Sequence, residues 1–508
     1  MKYISTRRGF EATSAESVFQ GLAPDGGLYV PLLGSTAADG SRLPPVATLR
    51  EAEDYVMSKL FDDLPAEVRK AAVDRLCSRF PENDPIPLVE ADGLQMLELF
   101  HGKTGAFKDV ALSMLPVFMK HAAGGKRVLI LTATSGDTGS AAMQGFAGVD
   151  GTEIAVLFPA TGTSKIQRLQ MTTPADPNVH AIAIRGNFDD AQAAVKRIFA
   201  DKAFAAEAAQ HGITLSSANS INTGRLIPQV AYYVLAGAKL AKGQQAYDSK
   251  EGGGTRAFDV VVPSGNFGNI LAAVYAKLLG APIRKFVCAS NINDVLARFV
   301  KTGVYDPGPT FTVTNSPSMD IRKSSNVERL LWMLNFDDRG EDAPATLPPR
   351  LAASCADAPA TLPPRLAAAC AETARLMEDL ATKGCYELTE AAKAKLLAEF
   401  VGGVATPEET EAEMRRMRET CGYVLDPHTA VGTCVAKKLM ADGTLGDLPV
   451  VVAATATPYK FPETCARAFG EDVLADPPPS FRDLETLPIA QKKVVDVKDI
   501  DDAIRELF

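Results

Sequence analysis

Lys108 is the residue of this sequence whose type and setting best suit covalent chemistry. It stands in the segment HGKTGAFKD (101–109), directly after Phe107 and before a stretch of small and apolar residues. An amine in such surroundings loses hydration, which lowers its proton affinity and makes it a nucleophile toward a carbonyl carbon. A surface lysine beside Asp109 would show the same local pattern, so the segment by itself leaves both interpretations open.

Two glycine-bearing segments have the composition of anion-binding turns. The first is TATSGDTG (132–139), in which Ser135, Asp137 and Thr138 follow a short apolar run. The second is PSGNFGN (263–269), which also follows an apolar run. Backbone N–H groups at a helix start attract anions, and glycine lets a phosphate approach the backbone closely. A capped turn is the alternative in both places, and neither spacing matches the Walker or dinucleotide glycine motifs.

A third polar segment, SSANSINTGR (216–225), gathers hydroxyls, amides and one guanidinium after another apolar run. Arg225 suits bidentate binding of a phosphate or carboxylate, and Lys165 is a second candidate cation. The other polar candidates of this segment are Ser216, Asn219 and Ser220. Both cations also fit solvated helix surfaces, so this segment alone does not decide a function.

Short apolar runs that alternate with helical stretches must position these segments. The runs cover residues 127–134, 154–158, 179–184, 213–215, 258–262, 285–288 and 450–454. Continuous apolar runs are typical of parallel strands buried on both faces. Ligands bind beyond the carboxyl ends of such strands, where the polar segments fall. The sequence therefore predicts an α/β fold with mainly parallel strands and a ligand site beyond their carboxyl ends.

The overall composition of the 508 residues is that of a globular protein, with 46% hydrophobic and 23% charged residues. The net charge of -9 argues against binding to nucleic-acid backbones, although it permits a local anion site. No apolar run has the length of a membrane helix, and the first residues lack a secretory leader. The scattered cysteines and histidines lack metal-ligand spacing, so we expect no metal site and free thiols in the cytoplasm.

Taken together, the motifs resemble the threonine synthase family, which are pyridoxal-phosphate enzymes of fold type II. The matching stretches follow the family order: DGGLYVP (25–31), HGKTGAFKD, TATSGDTG, SSANSINTGR, PSGNFGN, DPHTAVG (426–432) and TATPYKF (455–461). An ordered set of this size is specific, whereas any one motif is not. The resemblance implies two open βαβ lobes with mainly parallel sheets and a cofactor cleft between them. It also implies pyridoxal 5'-phosphate as the cofactor and O-phospho-L-homoserine as the substrate, which reacts with water to give L-threonine and phosphate.

The resemblance also assigns roles to individual residues. Lys108 corresponds to the lysine that holds the cofactor covalently and then carries protons. Thr455 corresponds to the hydroxyl that faces the pyridine nitrogen. The implied cradle of the cofactor phosphate consists of Gly265, Asn266, Phe267, Gly268 and Asn269. The implied substrate-binding residues are Ser135, Asp137, Thr138, Lys165, Ser216, Asn219, Ser220 and Arg225.

Two positions depart from the family pattern. Lys103 stands where the family usually has proline, and Thr457 stands where it usually has histidine. Two other functions remain open at this point: a threonine-synthase-like phospho-lyase that yields a 2-oxo acid, and a non-catalytic protein that binds a phosphate ligand. The presence of Lys108 argues against the second, because binding alone needs no reactive amine.

The motifs and composition divide the chain into five expected parts. These are an N-terminal segment (1–95), the cofactor-binding α/β core of two lobes (96–330), a tandem-duplicated surface insertion (342–371), the rest of the large lobe (372–470) and a C-terminal tail (471–508). The two copies in the insertion differ only at Ser354 and Ala369. The sequence leaves the oligomeric state open.

Overall fold

The computed structural model describes residues 1–32, 43–80, 83–134, 136–161, 163–245, 257–336, 362–470, 474 and 476–508. The strands of these residues are β1 (Tyr3–Ser5), β2 (Glu11–Ala12), β3 (Tyr29–Pro31), β4 (Leu88–Ala91), β5 (Leu94–Glu98), β6 (Arg127–Ala133), β7 (Thr152–Pro159), β8 (Val179–Arg185), β9 (Ile213–Ser217), β10 (Phe258–Pro263), β11 (Ile283–Ser290), β12 (Val304–Tyr305), β13 (Tyr386–Glu387), β14 (Phe400–Val404), β15 (Val450–Ala454) and β16 (Lys493–Asp496).

The α-helices of the same residues lie between and around these strands. They are α1 (Ser14–Gln20), α2 (Leu49–Leu60), α3 (Ala66–Ser78), α4 (Lys108–Ala122), α5 (Asp137–Phe146), α6 (Lys165–Thr172), α7 (Phe188–Ala200), α8 (Lys202–Gln210), α9 (Thr223–Leu226), α10 (Val230–Gln245), α11 (Gly268–Leu278), α12 (Val295–Thr302), α13 (Val327–Asn335), α14 (Pro364–Thr382), α15 (Glu390–Glu399), α16 (Pro407–Cys421), α17 (Pro427–Ala441), α18 (Pro462–Phe469), α19 (Pro479–Arg482) and α20 (Ile500–Arg505). None of these helices combines the length and the hydropathy that a membrane-spanning segment needs.

Two larger sheets form the two lobes. One has six strands in the order β14-β11-β10-β15-β5-β4, parallel except for the antiparallel pair of β4 and β5. The other has five parallel strands in the order β16-β8-β7-β6-β9. Helices join consecutive parallel strands, as the geometry of a parallel crossover demands. The predicted α/β fold with two lobes and mainly parallel sheets is confirmed.

The central strands are mainly apolar because both of their faces are covered. All six residues of β10 (FDVVVP) are buried, and six of the seven residues of β6 (RVLILTA) are buried. Such strands do not alternate polar and apolar residues, since neither face meets water. The polar segments singled out in the sequence follow the carboxyl ends of these strands.

Contacts with the segment after β15 fix the start of α4. The Phe107 N–H donates to the Thr455 carbonyl oxygen at 2.9 Å, and Ala106 forms an isolated antiparallel bridge with Ala456. These contacts tie the segment after β5 to the segment after β15. Lys108, the first residue of α4, is thereby held beside the end of β15.

The last residues of the chain form part of the five-stranded lobe. Strand β16 pairs in parallel with the edge strand β8, from Lys493 opposite Ile182 to Asp496 opposite Arg185. In helix α20, Ile500 and Ile504 are fully buried in the apolar cluster of this lobe. The region expected as a C-terminal tail therefore supplies the outer strand of the sheet and a helix that covers it.

The second copy of the duplicated sequence was expected to be a surface insertion, and this expectation is wrong for its described part. Residues 342–361, which include the whole first copy, lie outside the described residues. Pro364 begins α14, whose Leu366 and Cys370 are 1% and 2% exposed. The Trp332 indole N–H donates to the Cys370 sulfur at 3.4 Å. Because α14 packs on α13 with these residues, half of the second copy belongs to the core.

Candidate active site

Lys108 lies between the segment that follows β15 in the six-stranded sheet and the segment that follows β6 in the five-stranded sheet. Its side chain is 12% exposed, and its Nζ donates to Asp137 Oδ2 at 3.3 Å. The Nζ also lies 4.6 Å from the centroid of the Phe107 ring. Burial lowers the pKa of Lys108; the Asp137 charge opposes this shift, while the nearby charges of Arg225 and Lys460 add to it. The structure thus gives this lysine the desolvated setting that the sequence analysis predicted.

Asp137 is the first residue of α5 and accepts hydrogen bonds on both carboxylate oxygens. Oδ1 accepts from Gln167 Nε2 at 2.8 Å and lies 3.1 Å from Lys460 Nζ. Oδ2 faces Lys108 and also accepts from Ser318 Oγ at 3.2 Å. Burial alone would raise the pKa of Asp137, but the charges of Lys460 and Lys108 outweigh it and hold this pKa well below its usual value. Asp137 is therefore an anion that two lysines share.

The turn that contains Asp137 (residues 134–138, called the acidic turn below) uses its backbone N–H groups internally. Thr134 Oγ1 accepts from the N–H of Gly136 at 2.9 Å and of Gly139 at 3.0 Å. Gly136 has φ 157°, and a Cβ there would lie 2.4 Å from the Gln167 side chain. The sequence analysis offered free amides as one possibility for this turn. The structure assigns those two amides to Thr134 instead.

The turn between β10 and α11 (residues 264–269, called the glycine turn below) is built differently. Phe267 adopts a left-handed conformation with φ 62°, and no side chain caps α11. Among the described residues, no acceptor receives the backbone N–H groups of residues 266–269. A Cβ on Gly265 would lie 2.6 Å from the Ser318 carbonyl oxygen, so only glycine fits at that position. Open amides at a helix start without an acidic side chain are the features of a phosphate site.

Two side chains connect the polar segments around the cleft. Ser318, in the 3₁₀ turn Pro317–Met319, touches the acidic turn through its hydroxyl and the glycine turn through its carbonyl. Asn326 Nδ2 donates to the Ser220 carbonyl at 3.1 Å and to the Asn266 carbonyl at 3.0 Å. The loop with Asn219 and Ser220 therefore lies next to the glycine turn.

Arg225 is the buried cation of this loop region. It is 3% exposed, and its Nη1 donates to the Ala218 carbonyl at 2.9 Å. Its Nε has no hydrogen-bond partner among the described residues. Burial lowers the pKa of Arg225 to about 10. A buried guanidinium with an unused donor, close enough for its charge to act on Lys108, is available to an anionic ligand.

A buried network supports the Thr455 end of the cleft. The Thr455 N–H donates to Thr429 Oγ1 at 3.1 Å, and the Thr429 hydroxyl in turn donates to Asp426. His428 Nε2 accepts from the Ser318 N–H at 3.1 Å, so its Nδ1 carries the proton and donates to Asp426 at 3.0 Å. Asp426 thus fixes both the strand end that carries Thr455 and the turn that carries Ser318.

Two of the predicted substrate-binding residues are not brought to this cleft. Ser216 is 1% exposed, and its hydroxyl donates to the Phe19 carbonyl at 2.8 Å, on the side of β9 that faces α1. The Lys165 side chain is 60% exposed and pairs with Glu485. Lys165 lies on the same side of α6 as Arg168, whereas Gln167 of the same helix donates a hydrogen bond to Asp137. Neither side chain contacts Lys108 or Asp137 in this structure, and their roles in substrate binding stay predictions.

The other predicted residues are placed as follows. Thr138 is part-buried in the first turn of α5, and Ser135 lies outside the described residues. Asn269 is 7% exposed; its Oδ1 accepts from the Tyr233 hydroxyl, and its Nδ2 has no partner among the described residues. Of the two departures from the family pattern, Lys103 is exposed and Thr457 is buried against Gly105.

Three site residues were not singled out by the sequence analysis: Lys460, Ser318 and His428. Lys460 and His428 fall in segments that were quoted, TATPYKF and DPHTAVG, but no role was assigned to either. The segment around Ser318 carries no motif. Its importance comes from the contacts it makes with two turns distant in sequence.

Comparisons with known proteins identify the family of this chain. The sequence model described as "Threonine synthase N terminus" matches residues 2–70, "Pyridoxal-phosphate dependent enzyme" matches 80–344, and "Threonine synthase, C-terminal" matches 429–504. A threonine synthase of Saccharomyces cerevisiae is 32% identical, over 99% of this chain and 97% of its own length.

The chain belongs to the threonine synthase family. The crystal structure of a pyridoxal-phosphate-bound threonine synthase from Brucella melitensis has a TM-score of 0.81 at 35% identity, covering 100% of this chain and 99% of that one. The human protein named threonine synthase-like 1 is 36% identical over 88% of this chain and 56% of its own length. Fold type II and family membership, both predicted from the motifs, are confirmed.

The residues of the cleft fit pyridoxal phosphate, the cofactor of this family. The glycine turn has open amides for a phosphate, and Gly265 leaves no room for a side chain beside Ser318. Lys108 supplies a buried amine, and Thr455 supplies a hydroxyl at the end of β15. An amine, a phosphate cradle and a hydrogen-bonding partner for the ring nitrogen are the groups that hold this cofactor.

Proposed function

We propose that this protein is a threonine synthase that converts O-phospho-L-homoserine and water to L-threonine and phosphate. The observation that carries the proposal is the position of Lys108. This buried amine contacts the acidic turn, and Ser318 links that turn to the glycine turn with its open amides. The names of the relatives support the same activity.

Lys108 is proposed to hold the cofactor and, once released by the substrate amine, to carry protons. Pyridoxal phosphate supplies, when bound, an electron sink for the carbon beside the substrate amine. A lysine that removes a proton must be a free amine near neutral pH. Burial and two neighbouring cations favour that form of Lys108.

The glycine turn is proposed to bind the cofactor phosphate, and Thr455 to face the pyridine nitrogen. A threonine hydroxyl carries no charge, so it does not hold that nitrogen protonated as an aspartate would. The ring is then a milder electron sink. The charged groups that promote loss of phosphate must therefore come from the substrate side of the cleft.

Arg225 is proposed to be the main cation for the substrate anions. It is buried, its Nε is unused by the described residues, and the adjoining loop offers Asn219 and Ser220. A buried, charge-assisted hydrogen bond is stronger than one at the surface. Arg225 is thus expected to outweigh the exposed Lys165 in substrate affinity.

The proposal is tested by product analysis. Purified protein reconstituted with pyridoxal phosphate is incubated with O-phospho-L-homoserine, and amino acids, 2-oxo acids, phosphate and ammonia are measured. We expect threonine and phosphate in equal amounts. Phosphate with ammonia and a 2-oxo acid would instead identify a phospho-lyase, and no product would indicate a binding protein. The Lys108→Ala variant serves as the inactive control.

We also propose a cytoplasmic location. The cysteines of the described residues are free thiols, which suits a reducing compartment. Fractionation of the source cells, followed by detection of the protein, tests this point. Recovery from an oxidising compartment would contradict it.

A further inference from the structure

Lys460 is a second buried lysine beside Asp137, and it differs from Lys108 in its setting. Its side chain is 0% exposed. Its Nζ lies 2.8 Å from the Thr104 carbonyl, 2.9 Å from Gln170 Oε1, 3.1 Å from Asp137 Oδ1 and 3.4 Å from Ser140 Oγ. An ammonium has three N–H donors, so these oxygens leave none of them unsatisfied. Lys460 is therefore built into the protein as a charged group.

Lys108 holds the same carboxylate less tightly. Its Nζ is 3.3 Å from Oδ2, its side chain is 12% exposed toward the cleft, and Asp137 is its only described ion-pair partner. The two lysines thus share one negative charge unequally. Lys460 is enclosed with several acceptors, whereas Lys108 keeps one long contact and an open side.

Charged groups of several elements surround this pair of lysines. Asp137 comes from α5, Arg225 from α9 and Lys460 from the turn after β15, and all three act on Lys108. His428 from α17 faces Asp137, and Asp109 from α4 is within the reach of the Lys460 charge. Lys460 already compensates the negative charge of Asp137. The positive charge of Arg225 therefore disfavours a proton on Lys108.

We propose that Lys460 is a positioning residue that holds Asp137 as a fixed, compensated anion, so that Lys108 is left without a counter-charge of its own. This role concerns the reaction only in so far as Lys108 carries protons, which rests on the proposed function. The charge relation itself is a property of the folded protein. It exists whether or not a substrate is converted.

Removal of the Lys460 charge has a defined consequence. Asp137 would then have Lys108 as its sole strong cationic partner, and an opposite charge within about 4–6 Å commonly raises a lysine pKa by one unit or more. The amine would keep its proton to higher pH. The acidic limb of a pH–activity profile would move to higher pH as well, because free amine is required.

The main test measures Lys108 without the cofactor and without turnover. Cofactor-free protein is trace-labelled with acetic anhydride from pH 6 to 11, and acetylation of the Lys108 peptide is quantified by mass spectrometry. The midpoint in Lys460→Met is expected about one pH unit or more above wild type. Lys460→Arg, which keeps the charge, is expected to stay near wild type. A folded Lys460→Met protein with the wild-type midpoint would overturn the proposal.

A second pair of variants covers the case in which Lys460→Met does not fold. Removing one partner of a buried ion pair is strongly destabilising, whereas removing both charges is often tolerated. Asp137→Asn and the double variant Asp137→Asn/Lys460→Met differ only in the Lys460 charge. The double variant is expected to have the higher Lys108 midpoint, since a repelling cation is gone. Equal midpoints would refute the influence of Lys460.

A matched control excludes a general effect of losing a lysine. Lys239 is 19% exposed, pairs with Asp84 and also donates to the Ile86 carbonyl. Lys239→Met is expected to leave the Lys108 midpoint unchanged, and a shift equal to that of Lys460→Met would count against the proposal. Because labelling needs no product, a failed threonine assay with a shifted midpoint contradicts the proposed function alone.

Discussion

The acidic turn after β6 and the glycine turn after β10 share one layout, in which a buried strand ends near a glycine and a helix begins. They differ in what meets the backbone N–H groups at the helix start. In the acidic turn, Thr134 accepts two of these N–H groups and Asp137 adds a negative charge. In the glycine turn, no acidic residue is present in the first turn of α11, and the amides have no acceptor among the described residues.

This difference teaches that a helix start is not an anion site by geometry alone. The side chains of its first turn decide whether the amides and the dipole are free to act on a ligand. In the acidic turn, Thr134 accepts two of the N–H groups and Asp137 presents a carboxylate to Lys108. The glycine turn leaves its N–H groups open and carries no acidic side chain, so the same local fold serves an amine in one lobe and, as proposed, a phosphate in the other.

The largest expected effect tests whether the acidic turn serves Lys108. Lys108→Ala removes both the cofactor attachment and the proton carrier, so turnover should fall by at least about 10³-fold. Borohydride reduction of the wild-type holoenzyme followed by peptide mapping should place the label on Lys108. The exposed Lys103→Ala serves as the control and should keep its activity. A label on Lys460 would reverse the roles of the two lysines.

A smaller effect is expected on the substrate side. Arg225→Ala should raise KM for O-phospho-L-homoserine by roughly ten- to a hundredfold, since charge-assisted hydrogen bonds contribute about 1.5–3 kcal/mol. The absorbance band of the bound cofactor should be unchanged. Arg168→Ala, at an exposed position of α6, is the control. Equal KM values for the two variants would remove Arg225 from the substrate site.

An acidic residue introduced into the glycine turn should remove the difference between the two turns. Asn269→Asp preserves the shape of the side chain and can still accept from the Tyr233 hydroxyl. A negative charge at this helix start should weaken cofactor binding by about tenfold. The affinity is measured by fluorescence titration of cofactor-free protein. Asn187→Asp, at the N-cap of α7, introduces the same change away from the cleft and should have no effect; unchanged affinity in Asn269→Asp would mean that the phosphate binds elsewhere.

The smallest effect concerns a buried carboxyl that, unlike Asp137, has no described hydrogen-bond partner. Glu53 of α2 is 0% exposed, and burial raises its pKa well above the usual 4.5. A raised acid pKa favours folding below the unfolded value, and stability is lost as pH rises above it. Glu53→Gln should therefore increase stability at pH 8 by on the order of 1 kcal/mol and change little at pH 4.

Urea unfolding at the two pH values measures this effect. Glu378→Gln, at an exposed position of α14, is the control and should show no pH-dependent gain. If the gain in stability of Glu53→Gln over wild type were the same at pH 8 and pH 4, the pKa of Glu53 would not be raised in the folded protein.

Local sequence predicted the central parallel strands well. They are largely apolar runs, so their existence depends little on distant residues. The glycine turn was singled out because its glycines and amides are adjacent in sequence. Lys108 was assigned through the resemblance of the ordered motifs, because its own segment also fits a surface lysine beside Asp109. The roles of these residues in the reaction stay predictions.

Local sequence was insufficient where tertiary contacts decide the position of a side chain. Ser216 and Lys165 have suitable side chains, but the face that each presents depends on which neighbours cover β9 and α6. Lys460 is buried by residues from three distant segments, and nothing in TATPYKF reveals that. In the duplicated sequence, α13 buries Leu366, although the repeat itself reads as a surface segment.

The position of β15 has a consequence for how the protein is made. This late strand lies between β10 and β5, and its residues pair with both. The ribosome must synthesise the chain as far as β15 before the middle of the six-stranded sheet can form. Until then, β5 and β10 keep apolar surface exposed. Pairing between such distant segments slows folding and favours aggregation of incomplete chains. Both segments that the cofactor would touch on this lobe are thus completed only after β15 has been synthesised.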